Sequence, residues 1–581
     1  MKSRASSHFL ILLLIVILTA IAHYSIYYGA LIRGYETSSL SAFRNLGLLF
    51  LLAILPIFLT RFAKFQGNWT LYTSAVLLFS IGLTVQYRLF NDGEYAVVID
   101  RAEREKIQNS NLSDKEKARE MLRAKLRVIT KEREAKIHTL QLHYIQENYS
   151  AEKKQLMDLP SSPPSPVDLS QETPRPANDS IFATITSGKT TIPLFAIACF
   201  IVVIWLFRRD DVLNILQKNG FLLVLLTLVP LLFAAITSRA GKFGNMTPWE
   251  PAKIPFLIGF AAILAVLYKN LARTYWGVPR AKDVFPLVVM AMIPFVPFFV
   301  LQDFGQMMVF SSVYATLYLI AVRRLPQRFV LIGSVVLMIS ILVVGALPDK
   351  TQEKIPLLPT LAKPVKTILP NRIQQRFHLW LDGFNPPTPE TEWWKENYDK
   401  YYKELVERDP KLPELLEQDP NLQNSINVDA WFDLLAFQPA QATFGLASGG
   451  TTGRGLGLGY VELIPVSDSD YIYAAIAEEL GLFGGLLVIF ALITFVSAGI
   501  RTALDARDMF SKLCSAGLAA FIGFQALVNM GGITRALPMT GITLPFVSYG
   551  GFSLVTSFVM LGMLLAFSHR NAVDFNKVSN S

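Results

Sequence analysis

The sequence predicts an all-α polytopic membrane protein of about twelve transmembrane helices, on three observations. Hydrophobic residues make up 52% of the 581 residues and charged residues only 17%, against about 25% charged in soluble domains. Runs of 17 or more nearly uncharged apolar residues recur along the chain, each long enough to cross about 30 Å of hydrocarbon. Basic residues gather between alternate runs, so the net charge of +9 reads as membrane topology rather than as affinity for nucleic acid.

In chain order the spans fall near 9–30, 43–60, 71–90, 190–207, 219–237, 253–269, 284–301, 307–322, 328–347, 471–500, 510–530 and 546–568. The first follows Lys2 and Arg4 as a secretory signal would. It is long and lacks a small-residue cleavage site, so it is read as a retained helix. With the N-terminus inside, the cytoplasmic loops hold Arg61 and Lys64; Arg208, Arg209 and Lys218; Lys269, Arg273, Arg280 and Lys282. They continue with Arg323, Arg324 and Arg328; Arg501, Arg507 and Lys512; Arg570 and Lys577. An even number of spans places both termini in the cytoplasm. Cys199 and Cys514 lie in or beside apolar runs without metal-ligand spacing and read as packing residues.

The chain then divides into an N-terminal helix pair (1–65), a third span (66–92) and a first extracytoplasmic segment (93–189). Spans four to nine (190–347), a second large extracytoplasmic loop (348–470), the last three spans (471–570) and a short tail (571–581) follow. In the first outer segment Leu122, Leu126, Ile129, Ile137, Leu140 and Tyr144 recur mostly at three- and four-residue steps. That is the mark of an amphipathic helix or hairpin. A Pro/Ser-rich tether follows at 159–166. The segment reads either as a docking module or as a solvated insertion. The second loop carries an aromatic patch (Trp393, Trp394, Tyr398, Tyr401, Tyr402) and ends in a Gly-rich run.

Chemistry concentrates at the end of that loop. Gly449, Gly450, Gly453, Gly455, Gly457 and Gly459 give a backbone able to approach a ligand closely, and such a run can cradle phosphate through its amides. Asp468 and Asp470 then stand just before the span opening at Tyr471. A carboxylate at that boundary serves either as a general base or, with Ser469, as a helix cap. Glu478 and Glu479 are carboxylates inside the following span, and such residues default to function. The Gly- and Pro-rich stretch 529–554 must be irregular backbone packed against protein.

These residues resemble the SEDS family (shape, elongation, division and sporulation). Its signature is matched by Asn529-Met530-Gly531, Leu537-Pro538-Met539-Thr540-Gly541 and Leu544-Pro545-Phe546-Val547-Ser548-Tyr549-Gly550-Gly551. Its upstream block is matched by Ser448–Gly450, Gly453–Gly457, Pro465, Ser469-Asp470-Tyr471 and Ala477–Gly481. Gln302–Gln306 and Thr247–Lys253 resemble two further family segments, and Gln441 and Arg376 fit a family glutamine and a basic loop residue. The resemblance runs from about residue 70 to the end. Some RodA-like members carry an N-terminal pair such as 1–65.

The resemblance implies a peptidoglycan glycosyltransferase of the bacterial inner membrane with its site facing the periplasm. It would polymerise lipid II onto undecaprenyl-pyrophosphate-linked glycan, beside a class B penicillin-binding transpeptidase and other elongation or division proteins. It makes Asp470 the catalytic aspartate. It implies substrate contacts by Glu250, Lys253, Asp303, Arg376, Gln441, Ser448, Gly449, Gly450, Glu478, Glu479, Pro545, Ser548, Tyr549 and Gly550. No fixed metal site is expected, although a divalent cation such as Mg or Mn is an alternative source of positive charge. Val466, Asp468, Gln302 and Gln306 depart from the family pattern. The competing functions are a lipid-precursor flippase, with the membrane carboxylates as its path, and a non-catalytic scaffold.

Overall fold

The computed structural model describes residues 2–32, 35–37, 39–89, 95–97, 181–240, 249–271, 274–275, 278–301, 303–322, 436–461 and 464–579, with short stretches between 376 and 418. The amphipathic segment 122–144, the 159–166 tether, the 328–347 span, Trp393, Trp394 and Gln302 lie outside these residues.

The described chain is helical apart from two short antiparallel ladders, 35–37 with 95–97 and 274–275 with 278–279. The N-terminal pair is α1 (Lys2–Ile32) and α2 (Ser39–Phe62), followed by α3 (Trp69–Arg88) and α4 (Gly188–Phe207). Next come α5 (Asp210–Lys218), α6 (Gly220–Leu226), α7 (Leu228–Ala240), α8 (Trp249–Leu271), α9 (Ala281–Leu301) and α10 (Phe304–Ala321). The C-terminal part holds α11 (Phe437–Gly449), α12 (Ile472–Asp505), α13 (Met509–Ile533) and α14 (Phe552–Ser579). Among the described residues eight helices are long and apolar enough to cross a membrane, or nine if the bent α5–α6 unit counts as one.

Two elements differ from the sequence expectation. Residues 210–218 form a helix rather than a loop, bent by 75° from the helix that follows. Its apolar residues Val212, Leu213, Ile215 and Leu216 are too few to read as a span, and Asp210 ties it to Arg570 at the bundle end. The last helix begins at Phe552 rather than near 546, because Phe546 has φ 63° and ends regular backbone there.

Packing fixes which ends meet. α4 runs along α14, α12 along α13, α3 against α12, and α1 against both α2 and α3. At the centre, Phe558 meets Phe79 edge-on at 5.5 Å and Phe200 at 6.2 Å. Phe546 packs between Phe495 and Phe558. Such ring pairs contribute about 0.5–1.5 kcal/mol each beyond their burial.

The basic loops read as cytoplasmic gather at one end. Arg208 donates to the Ala63 carbonyl (3.1 Å), Arg570 pairs with Asp210 (2.6 Å), and Arg507 donates to the Asp574 carbonyl (3.1 Å). Asp303, Arg376, Asp470 and Thr540 meet at another corner, where α10 and α12 begin and α13 ends.

Candidate functional site

Asp470 sits on a tight turn, partly buried. The Val466 carbonyl accepts from the amides of Ser469 (3.1 Å) and Tyr471 (3.2 Å). Val466 itself has φ 53°, a left-handed conformation that costs a β-branched residue energy. The turn is therefore held from outside. Ser548 donates its hydroxyl to the Ser469 carbonyl (2.7 Å), and the Tyr549 amide donates to the Asp468 carbonyl (2.9 Å). The Ser548 hydroxyl also accepts from the Leu544 amide (2.8 Å), which closes the motif's own turn. Ser548, Tyr549 and the buried Pro545 thus meet the Asp470 turn directly or form the element beneath it.

Of the two roles open to this aspartate, the cap is not what the geometry uses. The residue preceding α12 is Tyr471, and no side chain caps the helix. The Asp470 carboxylate instead accepts from the Ser469 hydroxyl at 2.9 Å. Asn529 anchors the backbone beneath it, donating to the Asp470 carbonyl at 2.8 Å.

Arg376 joins from the large loop, donating to the Thr540 carbonyl at 2.8 Å. A Cβ on Gly541 would lie 3.4 Å from Asp470 Oδ2 and 3.6 Å from Arg376 Nη2. Carboxylate and guanidinium therefore face one small gap beside Gly541, whose φ of 71° favours glycine. Burial pushes the Asp470 carboxyl above its ordinary range, while the Ser469 hydroxyl and the Arg376 charge hold it partly down.

A second polar group adjoins this one. Lys253, fully buried in α8, donates to Glu250 (2.8 Å) and to Gln525 Oε1 (2.7 Å). Gln525 passes the network on, donating to the Thr543 carbonyl at 3.0 Å. Asp303 caps α10 by accepting from the Gln306 amide at 3.1 Å. Burial raises the Asp303 carboxyl to about 6, opposed by that amide, Arg376 and Lys253 and reinforced by Glu250. Asp303 therefore feels the charges of both α8 and the large loop.

Around this corner several buried polar atoms are unpartnered. Gln306 Oε1, Asn529 Oδ1 and Thr540 Oγ1 are buried without a hydrogen-bond partner among the described residues. Gly305 packs on Thr540, where a Cβ would come within 2.6 Å of the Thr540 Cβ. Buried polar atoms are normally paired, so several bare ones beside two carboxyls make this corner a candidate binding site. Gln441 Nε2 is also buried without a partner.

The Gly-rich run corrects the phosphate-cradle expectation. Its amides are already used: Gly453 donates to Gly449 O, Arg454 to Glu478 O and Gly455 to Glu479 O. Gly457 and Tyr460 donate to the Glu479 and Glu478 carboxylates at 3.2 and 3.0 Å. Glu479 also receives Arg88 of α3 at 2.5 Å. Glu478 and Glu479 therefore hold the loop rather than an open path. Ser448 donates to Gly445 O (3.1 Å), Gly449 packs on the Ala477 carbonyl, and Gly450 ends α11 with φ 54° beside open space. Gly550 lies against Thr543.

Sequence reasoning missed Gln525, Thr543 and the pairing role of Arg88. Gln525 had a readable signal, since it is a polar side chain inside an apolar run. The partners of Arg88 lie 371 and 391 residues away in sequence, and nothing local announces them.

The sequence model of the FtsW, RodA and SpoVE family of cell cycle proteins matches residues 427–572. The peptidoglycan glycosyltransferase RodA of Mycobacterium tuberculosis is 28% identical over 393 residues, covering 65% of this chain and 68% of that protein. The probable peptidoglycan glycosyltransferase FtsW of Bacillus subtilis is 42% identical over 132 residues, covering 22% of this chain and 32% of that protein. A chain of a solved peptidoglycan synthase complex overlays with a TM-score of 0.42 at 18% identity, covering 67% of this chain and 93% of that one. The match falls on the segment that builds the Asp470 turn, the Glu478–Glu479 pair and the 537–551 motif, and it is there that the chain is similar to the RodA, FtsW and SpoVE proteins.

Proposed function

We propose that the protein is a peptidoglycan glycosyltransferase that polymerises lipid II at the periplasmic face of the bacterial inner membrane, with Asp470 as its general base. The observation that carries this reading is the corner itself: an uncapping, partly buried Asp470 facing Arg376 across Gly541. The GlcNAc 4-hydroxyl of the incoming lipid II would give its proton to Asp470 as its oxygen bonds to the anomeric carbon of the lipid-anchored glycan. The bond from that carbon to undecaprenyl pyrophosphate breaks, and the configuration inverts.

The departing pyrophosphate needs its negative charge stabilised. Arg376 is better placed for this than Lys253, whose ammonium is fully buried and taken by Glu250 and Gln525. Lys253 instead fixes the charge balance around Asp303. Among the described residues no three His, Cys, Asp or Glu side chains converge as a metal site, so no step is assigned to a resident metal. A Mg or Mn ion arriving with the pyrophosphate is the alternative. Holding two lipid-anchored reactants together supplies much of the acceleration. A class B penicillin-binding transpeptidase is the proposed partner that crosslinks the strands.

Reconstitution in vesicles with labelled lipid II tests the function. Glycan strands are the expected product. Precursor movement across the bilayer without strands would make the protein a flippase, and neither outcome, with or without the transpeptidase, would make it a scaffold.

A further inference from the structure

The N-terminal helix pair lies outside the matched family segment, yet α1 reaches the candidate site's own loop. Gly29 of α1 lies directly on Gly457 of the Gly-rich run. A Cβ on Gly29 would stand 3.1 Å from the Gly457 Cα and 3.2 Å from its carbonyl carbon and oxygen. A Cβ on Gly457 would stand 3.2 Å from the Ile26 Cα and 3.3 Å from the Gly29 Cα. Two backbones touch, and a side chain on either would part them.

The opposite side of that loop is held by charge. The Gly457 amide donates to Glu479, Glu479 receives Arg88, and Arg88 also donates to the Gly459 carbonyl at 2.7 Å. Beside Arg88 on α3, Tyr87 stacks on His23 of α1 with ring centres 4.6 Å apart. His23 contacts Asn45 of α2 at 3.1 Å. One buried polar node thus sets the register of α1 and α2 against the helix that carries Arg88. A run this rich in glycine has high conformational freedom, so it keeps one shape only if both of its faces are walled. α12 and Arg88 wall one face, and α1 walls the other. The chain leaving this loop at Tyr460 reaches Asp470 ten residues on.

We propose that α1 is a positioning element for the candidate active site, with Gly29 and Arg88 as positioning residues that hold the Gly-rich loop and, through it, the Asp470 turn. The effect on catalysis rests on the glycosyltransferase reading, whereas the effect on the loop does not. A displacement near 1 Å at a reacting group can cost about 10²-fold in rate, so even a small retreat of α1 would be felt.

The test uses the full-length chain in lipid nanodiscs, with amide exchange and lipid II polymerisation measured in parallel. Gly29→Leu is expected to speed exchange at residues 453–460 about tenfold while leaving α13 unchanged, and to lower kcat about tenfold with little change in KM. Gly29→Ala should show the same pattern at smaller amplitude. Leu18→Ala, on the exposed face of α1, should change neither readout. Wild-type loop exchange in Gly29→Leu would overturn the proposal. So would exchange rising equally through α13 and α14 with Gly29→Ala indistinguishable from wild type. If wild-type protein makes no strands, the glycosyltransferase reading fails while the exchange arm still decides whether α1 walls the loop.

Discussion

Asp470→Asn is expected to lower the rate of strand synthesis by about 10²–10⁴-fold, the usual contribution of a positioned general base, with little loss of stability. The amide keeps the shape of the carboxylate, and the Asn529 anchor acts on the backbone carbonyl of residue 470 rather than on its side chain. The turn should therefore survive while its power to take a proton is lost. The wild-type pH dependence follows from the same group. A base works ionised, so activity should fall as pH drops through its pKa. Burial raises that carboxyl, which places the acidic limb above the ordinary value of about 4 for an aspartate. Asp303 is also raised, to about 6, and the Arg376 charge opposes the rise at both carboxyls. A purified, folded Asp470→Asn protein with full polymerisation activity would remove the base from this mechanism.

Lys253→Met should be the most destabilising single change at the site, by about 3–5 kcal/mol, because it leaves a buried carboxylate without its cation. Glu250 is 2% exposed and Lys253 is 0% exposed, so solvent cannot replace the missing partner. Gln525 Oε1 loses its donor in the same step. Methionine nearly matches the lysine stem in volume, so packing contributes little to the loss. Removing both charges with Glu250→Leu and Lys253→Met should recover most of the stability, since a buried pair contributes little net once desolvation is counted. The double variant should still polymerise poorly, because the charge balance around Asp303 is gone. Thermal denaturation in detergent checks the order wild type, double variant, Lys253→Met. A Lys253→Met protein as stable as wild type would show that Glu250 does not depend on this pair.

The helices were legible in the sequence because lipid imposes a simple rule: apolar length, with basic residues on one side. The gathering of Arg208, Arg507 and Arg570 at one end of the bundle is that rule in three dimensions. Helix α5 was not legible, because an amphipathic helix at a bundle end lacks the apolar length that announces a span. At the site, Asp470 stood out as a carboxylate at a span boundary, but position alone could not separate base from cap. The geometry removes the cap, through Tyr471 preceding the helix and the carboxylate turning to Ser469, and leaves the base as a proposal. The Gly-rich run misled for a physical reason. Glycine permits close approach to a ligand and to another backbone equally well, and only the fold shows that α1 and α12 are what approach. The pairing of Arg88 with Glu479 joins residues 391 apart, and pattern reasoning has no handle on that distance.

On the proposed mechanism, the Asp470–Arg376 corner carries out an inverting transfer of a lipid-anchored glycan. Product analysis tests it most directly. Purified wild-type protein is given lipid II, and the new glycosidic linkage is assigned by NMR or by an anomer-specific muramidase. The expected product is strands whose linkages have the anomeric configuration opposite to that of the lipid-pyrophosphate donor. Strands that retain the donor configuration, or lipid II recovered unchanged, would contradict it.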